Sequence, residues 1–293
     1  MKLPGKAAII TGGSRGIGKA ISQAFTKQGA RILVGAREAT ALEQAALELG
    51  GPQVEVVTYA VDVSDPEAVQ GMVKRAEEAF GEVDVLVNCA GVYGPIGPSI
   101  EADISAWRRT IEINLLGTFH CMAAVLPGMI RRRRGKIINL SGGGAVGPLP
   151  RFSAYGASKA AVVRLTETIA REVEEFNIQI NAIAPGAVNS RLLDEVLASG
   201  ERAGPEFFAR AQEQKKQGGI PPERAAELAV FLASDESNSL TGRLISAVYD
   251  DWTHIPQNLD AIRATDLYTL RRIDEKMAAL LYPSFKKGQA KGK

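Results

Sequence analysis

Short apolar segments alternate with helical segments along most of this chain, and this alternation restricts the possible folds more than any other feature of the sequence. The first apolar segment, Ala7–Thr11, is followed by glycines and then by a predicted helix, Lys19–Gln28. The further predicted strands are Arg31–Val34, Val54–Ala60, Val83–Val87, Lys136–Leu140, Ile178–Ala184 and Gly242–Val248. A strand–helix alternation repeated in this way predicts an α/β protein with a parallel sheet that helices cover on both faces.

A glycine-rich turn joins the first predicted strand to the first predicted helix. An order of strand, glycine turn and helix directs helix N–H groups at a phosphate, and the glycines let the phosphate approach the backbone. We therefore predict a dinucleotide site here, although a simple strand–helix turn is the alternative. Its predicted cofactor contacts are Gly12, Ser14, Arg15, Gly16, Ile17 and Gly18.

The end of the second predicted strand is where the cofactor's ribose is expected to be recognised. Arg37 lies at this place, roughly twenty residues beyond the first glycines. An arginine here suits a 2′-phosphate, whereas an acidic residue accepts the 2′-hydroxyl. Arg15 can reach the same phosphate, and Glu38 is expected to cap the next helix instead. The sequence therefore favours NADP over NAD.

The predicted helix Ser153–Arg171 carries a tyrosine and a lysine that are suited to proton transfer. Tyr155 and Lys159 are four residues apart and lie on one face of the helix. The ordinary pKa of a tyrosine is about 10, and a cation within about 4–6 Å lowers it. A tyrosine with such a pKa can exchange a proton with an alcohol or ketone oxygen. A surface pair without a chemical role is the alternative.

Composition limits the partners and the compartment. The 35 basic and 33 acidic residues give a net charge of +2, which indicates neither nucleic acid nor an acidic surface as a partner. The run Arg131–Arg134 is interpreted as a helix end that complements the helix dipole. Cys89 and Cys121 lie in apolar segments, which favours free thiols in a reducing compartment. With no predicted signal peptide and no apolar run near the roughly 20 residues that span a bilayer, we expect a cytoplasmic protein without a membrane partner.

Six motifs occur in the order and at the intervals of the short-chain dehydrogenase/reductase family. They are Thr11-Gly12 with Gly16-Ile17-Gly18, Asp62-Val63, Asn88-Cys89-Ala90-Gly91, Asn114, Tyr155 with Lys159, and Pro185-Gly186. Over Leu3–Val248 the chain therefore resembles this family. The resemblance implies a three-layer, doubly wound Rossmann-type fold with a parallel seven-stranded sheet. It also implies NAD(P)-dependent chemistry that interconverts carbonyl and alcohol groups.

The resemblance also implies roles for individual residues. Tyr155 would donate or accept the proton, Lys159 would lower its pKa and bind the nicotinamide ribose, and Asn114 would hold a water that connects Lys159 to solvent. The other implied cofactor contacts are Asp62 and Val63 at the adenine, Ala90 and Gly91 beside the nicotinamide ribose, Val188 and Ser190 at the carboxamide, together with Asn88, Pro185 and Gly186. No metal site is predicted.

The serine that the family uses beside the tyrosine is missing from its usual place. The family has it thirteen residues before the tyrosine, and Gly142 stands there. Ser141 is the first candidate, because the following glycines allow a kink that turns it toward the pocket. Ser153 is the second candidate, and the absence of any assisting serine is the third possibility.

Two functional hypotheses follow, and a third is disfavoured. The first is an NADP-dependent reductase or dehydrogenase that acts on a small hydrophobic substrate, because the loops after the fourth, fifth and sixth strands are mostly apolar. The second is a nucleotide-binding relative in which Gly142 has reduced or abolished catalysis. A dehydratase or epimerase acting on a nucleotide-sugar is disfavoured, because such relatives have different glycine spacing and a larger substrate domain.

The chain is predicted to form one cofactor-binding domain, residues 1–249, followed by an extension, residues 250–293. A substrate lid is expected at about 189–220. In the extension we expect a helix near Leu259–Leu281, a basic disordered end at Lys286–Lys293, and packing over the active-site mouth of its own or a neighbouring subunit. The resemblance implies a homodimer or homotetramer built through the helices that hold Asn114 and Tyr155.

Overall fold

The computed structural model describes residues 1–51 and 55–274, together with Met277 and Leu281. Its centre is a seven-stranded sheet with the order β3-β2-β1-β4-β5-β6-β7, in which neighbouring strands are parallel. This confirms the predicted Rossmann-type sheet. The strands are β1 Ala7–Thr11, β2 Arg31–Ala36, β3 Val56–Ala60, β4 Val85–Asn88, β5 Gly135–Leu140, β6 Ile178–Ala184 and β7 Leu244–Ser246. The predicted start of the third strand, Val54, lies outside the described residues.

Helices cover both faces of the sheet because each side of these strands is apolar. The helices are α1 Gly16–Lys27, α2 Ala39–Leu49, α3 Pro66–Phe80, α4 Ile104–Ile111, α5 Gly117–Arg132, α6 Ser153–Glu172, α7 Arg191–Ser199, α8 Pro205–Gln217, α9 Pro222–Ala233 and α10 Leu259–Arg263. On one face α1, α2 and α9 bury side chains such as Phe25, Leu42 and Phe231. On the other face α3, α5 and α6 bury Met72, Met122 and Ile169. The three layers are those that the alternation predicts.

The start of α3 settles an alternative that the sequence left open. Either Ser64 or Asp65 fitted the cap position before Pro66. Asp65 is the cap, since its carboxylate accepts hydrogen bonds from the backbone N–H groups of Glu67 (2.9 Å) and Ala68 (3.2 Å). The cap fixes where the chain leaves β3 and enters α3.

The topology places the binding crevice at β1. From this central strand the chain proceeds first through β2 to β3 on one side and then returns to β4 on the other. The connections at the carboxyl ends of β1 and β4 therefore diverge, and ligands of doubly wound sheets bind in the gap between them. The glycine turn and the loop after β4 both lie at this gap.

The segment Ile104–Arg132 corrects one expectation from the sequence. Over 29 residues it is long and apolar enough to cross a membrane by length and composition, although no such run was predicted. Half of its most apolar 18-residue stretch is buried inside the protein. Cys121, Met122 and Met129 lie fully buried against the sheet, so α5 packs as a core helix of a globular protein.

The described part of the C-terminal extension packs against the outer edge of the sheet. The backbone N–H of Leu244 in β7 donates to the carbonyl of Tyr268 (2.8 Å), and Arg243 donates to the carbonyls of Thr265 and Leu267. Ile255 and Ile262 are buried in the core beside α9. The extension thus shields the otherwise unpaired edge of β7.

This placement differs from the expected one over the chain's own active-site mouth, because the apolar side chains of the extension find their partners on α9 and β7. The described helix is Leu259–Arg263 rather than Leu259–Leu281. Residues 264–274 are described and are not helical, whereas residues 275, 276 and 278–280 of the predicted helix and the basic end Lys286–Lys293 lie outside the described residues.

Candidate active site

The glycine turn after β1 is built from backbone conformations and contacts that only glycine allows. Gly12 and Gly16 have φ angles of +66° and +50°. A Cβ atom on Gly18 would overlap the carbonyl oxygen of Gly12, and one on Gly12 would lie 2.9 Å from the backbone of Ala90. The glycines therefore let α1 sit directly on the end of β1.

The start of α1 is free to bind an anion. Its N-cap residue, Arg15, makes no side-chain capping hydrogen bond, and no acidic residue lies in the first turn. The first N–H groups of a helix have no partner within the helix, and they carry partial positive charge. The turn therefore fits the pyrophosphate of a dinucleotide, as the sequence predicts.

A cleft of about 240 Å³ opens above this turn. Twelve of the predicted cofactor residues line it: Gly12, Ser14, Arg15, Gly16, Ile17, Gly18, Arg37, Asp62, Val63, Ala90, Gly91 and Ser190. Asn88, Pro185, Gly186 and Val188 do not line it, nor do Tyr155 and Lys159. The side chain of Asn88 donates instead to Asn139 Oδ1 across the sheet (2.9 Å), so it joins β4 to β5.

Charged residues surround the ribose end of the cleft, and one of them differs from its predicted role. Glu38 occupies the N-cap position of α2, but its side chain does not cap that helix. Its carboxylate is paired with Arg15, and Arg191 Nη1 lies 3.5 Å from it. The hydrogen bond from Arg15 lowers the pKa of Glu38 below its ordinary value. The two guanidinium groups stabilise the Glu38 carboxylate more than the N–H groups at the start of α2 would.

The adenine end contains a second ion pair. Asp62 accepts hydrogen bonds from the backbone N–H of Ser64 (3.0 Å) and from its hydroxyl (2.7 Å), and it pairs with Arg109. Burial raises the pKa of Asp62, but the hydrogen bonds from Ser64 and the charge of Arg109 outweigh burial and leave it lowered. Asp62 is therefore an ionised carboxylate fixed at the rim of the cleft.

Tyr155 and Lys159 lie on one face of α6, as predicted, and Lys159 is next to the cleft: a Cβ atom on Gly91, which lines the cleft, would lie 3.5 Å from Lys159 Nζ. Lys159 Nζ is 5.7 Å from the centroid of the Tyr155 ring and donates to the carbonyl oxygen of Leu140 (2.8 Å). Both residues are buried. This places an ammonium group beside the phenol at the carboxyl end of β5.

The prediction that the pKa of Tyr155 is lowered is wrong when only the protein's own residues act on the phenol. Burial raises the pKa of Tyr155 above its ordinary value, and Tyr93 and Cys89 act in the same direction. Burial also lowers the pKa of Lys159 to about 8. Removal of both groups from water disfavours their charged forms.

Asn114 lies in a single π-helical turn, Glu112–Leu116, between α4 and α5. Its amide oxygen accepts from the backbone N–H of Val92 (2.9 Å), and its amide nitrogen donates to the Val92 carbonyl (2.9 Å) and to Ser158 Oγ (3.0 Å). Such turns are rare and occur often at functional sites. The bonds tie the loop after β4 to α6 and explain why an asparagine interrupts this helix.

None of the serine candidates reaches Tyr155. The hydroxyl of Ser141 is buried and has no hydrogen-bond partner among the described residues, so it is not hydrogen-bonded to the phenol. Ser153 Oγ accepts a hydrogen bond from Trp107 Nε1 (3.1 Å). Ser141 is thus the serine candidate with an unpaired hydroxyl, and its assistance to Tyr155 stays a prediction.

Apolar side chains from three loops surround the tyrosine. The ring of Tyr93 packs edge-on against Tyr155 with 4.6 Å between the centroids, and it also contacts Phe152 at 5.1 Å. Helices α7 and α8 contribute Leu193, Val196 and Ala211 to the same cluster. The apolar lining predicted for the substrate site is therefore present around Tyr155.

Sequence reasoning missed several residues of the cleft. The main ones are Cys89, Arg191 and Glu195, which line it with the predicted residues. Arg191 and Glu195 are four residues apart at the start of α7 and form an ion pair of 3.4 Å. Their spacing just after Ser190 was a usable signal, because it places both charges on the helix face next to a predicted contact.

A glycine-lined helix start at the switch point of a doubly wound sheet, beside a buried tyrosine and lysine, defines a dinucleotide-dependent oxidoreductase site. The family model for short chain dehydrogenase matches residues 6–200. The chain belongs to the short-chain dehydrogenase/reductase family, whose members catalyse NAD(P)-dependent interconversion of alcohol and carbonyl groups.

Two curated relatives illustrate the similarity. The chain is 36% identical over 263 residues to the oxidoreductase UcpA of Salmonella typhimurium, an alignment that covers 88% of this chain and 98% of the relative. It is 32% identical over 245 residues to the 3-oxoacyl-[acyl-carrier-protein] reductase FabG of Thermotoga maritima, covering 84% and 97%.

Solved structures show the same fold. NAD⁺-bound xylitol dehydrogenase superimposes with a TM-score of 0.78 at 30% identity, covering 84% of this chain and 98% of that chain. An actinorhodin polyketide ketoreductase with NADPH gives a TM-score of 0.76 at 29% identity, covering 82% and 95%. Structures with both dinucleotides are therefore among those similar to this chain.

Proposed function

We propose that this protein is an NADP-dependent oxidoreductase that interconverts a carbonyl and an alcohol on a small hydrophobic substrate, with Tyr155 as the general acid and base. The observation that carries the proposal is the position of Lys159 Nζ. It lies 5.7 Å from the centroid of the Tyr155 ring and next to Gly91, which lines the cleft above the uncapped N-terminus of α1. The named activities of the relatives, such as ketoreductase and xylitol dehydrogenase, are of this reaction type.

Tyr155 gives its proton to the substrate oxygen in reduction and takes it back in oxidation. Hydride exchange with the substrate carbon is the chemistry that a nicotinamide supplies when it is bound. Lys159 holds the ribose next to the nicotinamide and returns protons to the tyrosine. Asn114 fixes the loop beside this path through its bonds to Val92 and Ser158. Asn88, Pro185, Gly186 and Val188 remain proposed contacts of the cofactor or of the frame around it.

The preference for NADP follows from the arginines at the ribose end. Arg15, Arg37 and Arg191 face two carboxylates there, Glu38 and Glu195. The surplus of positive charge suits a 2′-phosphate, which can take Arg15 from Glu38 and form a stronger charge-assisted bond. Dissociation constants of NADPH and NADH, measured by fluorescence for the wild type and Arg37→Ala, test this. We expect the variant to bind NADPH at least about tenfold more weakly and NADH unchanged; tighter binding of NADH by the wild type would contradict it.

A hydrophobic substrate is inferred from the cluster around Tyr155. Aromatic and aliphatic side chains from the loop after β4, the loop after β5 and α7 surround the phenol. NADPH oxidation should be followed with a 3-oxoester, a cyclic diketone and a steroid ketone, and NADP⁺ reduction with a polyol. Turnover of the polyol alone would contradict the proposed substrate class.

The second candidate is a dinucleotide-binding relative with reduced or lost catalysis. Gly142 and the raised pKa of Tyr155 favour it, since neither helps an acid–base catalyst. Tight NADPH binding with no hydride transfer across this panel would support it. The proposed function predicts transfer that disappears in Tyr155→Phe.

We also propose that the protein forms a homo-oligomer and is located in the cytoplasm. Leu116 and Phe119 are 42% and 45% exposed on the helices that carry Asn114 and its neighbours, which is the face expected to meet a second copy. The free thiols Cys89 and Cys121 fit a reducing compartment. Size measurement by light scattering tests the assembly, and a monomer at micromolar concentration would contradict it.

A further inference from the structure

The Tyr155 hydroxyl needs a second hydrogen-bond donor beside it, and no serine provides one. We propose that Tyr93 does so: its phenol donates a hydrogen bond to the substrate oxygen that Tyr155 protonates. This inference rests on the proposed function and deepens it, since it names the group that polarises the carbonyl. Tyr93 would then be a catalytic residue of the site.

Two of the serines near Tyr155 are already hydrogen-bonded to other partners. Ser153 accepts from Trp107, and Ser158 donates to the backbone carbonyl of Tyr155 (2.7 Å). The Ser141 hydroxyl is buried without a partner in the part of the chain that the structure describes. Ser153 and Ser158 are therefore engaged elsewhere, and the Ser141 hydroxyl and the Tyr93 phenol are the unpaired hydroxyls to compare.

Tyr93 is the aromatic residue in direct ring contact with Tyr155. The two rings meet at 68°, edge to face, with their centroids 4.6 Å apart. Phe152 packs on the other side of Tyr93, at 5.1 Å, and Phe207 packs in turn on Phe152 at 4.8 Å. The phenol is thereby held beside the catalytic one by apolar contacts that do not occupy its hydroxyl.

The backbone next to Tyr93 is fixed as well. Asn114 binds both the N–H and the carbonyl of Val92, the preceding residue, at 2.9 Å each. Because Gly91 and Val92 line the cofactor cleft, Tyr93 follows directly on residues that lie where the nicotinamide is expected. A side chain anchored in this way is preorganised toward the reacting oxygen.

The Tyr93 hydroxyl is available as a donor. Within the described residues neither it nor the Tyr155 hydroxyl forms a hydrogen bond to the protein. Burial and the charge of Glu195 raise the pKa of Tyr93 above its ordinary value, so the phenol keeps its proton at neutral pH. A neutral phenol can donate one hydrogen bond to a carbonyl or alkoxide oxygen.

The test compares Tyr93→Phe with a matched control, Tyr59→Phe, which removes a phenol hydroxyl on β3 away from the site. The probes are NADPH with ethyl acetoacetate, or with whichever ketone of the panel is turned over fastest. We expect kcat to fall about 10²–10³-fold in Tyr93→Phe, with the dissociation constant of NADPH and the thermal midpoint unchanged. Binding of the same ketone to the NADP⁺-loaded enzyme, measured by calorimetry, should weaken in Tyr93→Phe and remain unchanged in Tyr59→Phe.

Each alternative result has a definite meaning. A kcat for Tyr93→Phe within threefold of wild type, with Tyr155→Phe inactive, would overturn this inference and leave the proposed function intact. A comparable loss in Ser141→Ala, with Tyr93→Phe active, would return the role to Ser141 and overturn it too. No hydride transfer by the wild type with any ketone would overturn both the inference and the proposed function.

Discussion

Gly142 lies so close to Tyr155 that a Cβ atom on residue 142 would overlap the phenol oxygen and lie 3.0 Å from Cζ. The position at which the family places its serine is thus filled by the side chain of Tyr155 itself. A serine cannot occupy residue 142 unless Tyr155 moves. The glycine is therefore part of how this chain seats its tyrosine.

Gly142→Ala should displace the Tyr155 side chain and strain the cluster around it. We expect the free energy of unfolding to fall by about 1–3 kcal/mol, as for other overpacked sites. Chemical denaturation measures this, and a crystal structure would show the new position of the phenol. Gly147→Ala is the matched control, because a Cβ there meets nothing within 4 Å. Equal stabilities of the two variants would contradict the close approach.

Gly18→Ala should disrupt the cofactor site from the backbone. The new methyl would overlap the carbonyl oxygen of Gly12, so α1 must move away from β1. We expect NADPH binding to weaken by more than about tenfold, because the helix N–H groups leave the pyrophosphate position. Equilibrium binding by fluorescence is the measurement, again with Gly147→Ala as the control. An unchanged affinity would show that the phosphates bind elsewhere.

The pH dependence of cofactor use should report Lys159. Burial lowers the pKa of this lysine to about 8, so above that pH it loses the charge that holds the ribose. We expect kcat/KM for NADPH, which reflects the free enzyme, to decline above about pH 8. In Lys159→Arg, whose guanidinium stays charged, the decline should move to higher pH. A decline at the same pH in both enzymes would assign it to another group.

Stability should rise with pH because of a second buried lysine. Burial lowers the pKa of Lys136, at the start of β5, to about 7, with a further contribution from Lys6. Between about pH 7 and its ordinary pKa of 10.5 the unfolded chain binds this proton and the folded chain does not, so stability increases with pH over that window. The gain should be on the order of 2–4 kcal/mol.

Lys136→Met tests this assignment, because it removes the titrating group from the core. Urea denaturation at pH 7 and pH 9.5 should show a smaller increase in this variant than in the wild type. Lys74→Met, at an exposed position of α3, should keep the wild-type increase. The same increase in all three proteins would place its origin elsewhere.

Periodicity and glycine spacing were enough to predict the sheet, the glycine turn and the Tyr155–Lys159 face. These features depend on local patterns, and a repeated pattern leaves few topologies open. The start of α3 was also predictable from a local pattern, Ser64 or Asp65 before Pro66, although only the structure shows that Asp65 is the cap.

The remaining differences come from long-range contacts. Glu38 was predicted as a helix cap, but Arg15 and Arg191 reach it from parts of the chain that are distant in sequence. The pKa of Tyr155 depends on how deeply the fold buries the phenol, and that depth is not encoded in the spacing to Lys159. The path of the extension along β7 required knowledge of which sheet edge was free.

Hydride transfer by the wild type and by Tyr155→Phe tests the central claim most directly. The wild type should oxidise NADPH with at least one hydrophobic ketone of the panel. Tyr155→Phe should bind NADPH with the same affinity and yet lose nearly all turnover, because only the proton donor is missing. Turnover in Tyr155→Phe equal to that of the wild type, or a folded wild type with no affinity for either dinucleotide, would contradict the account.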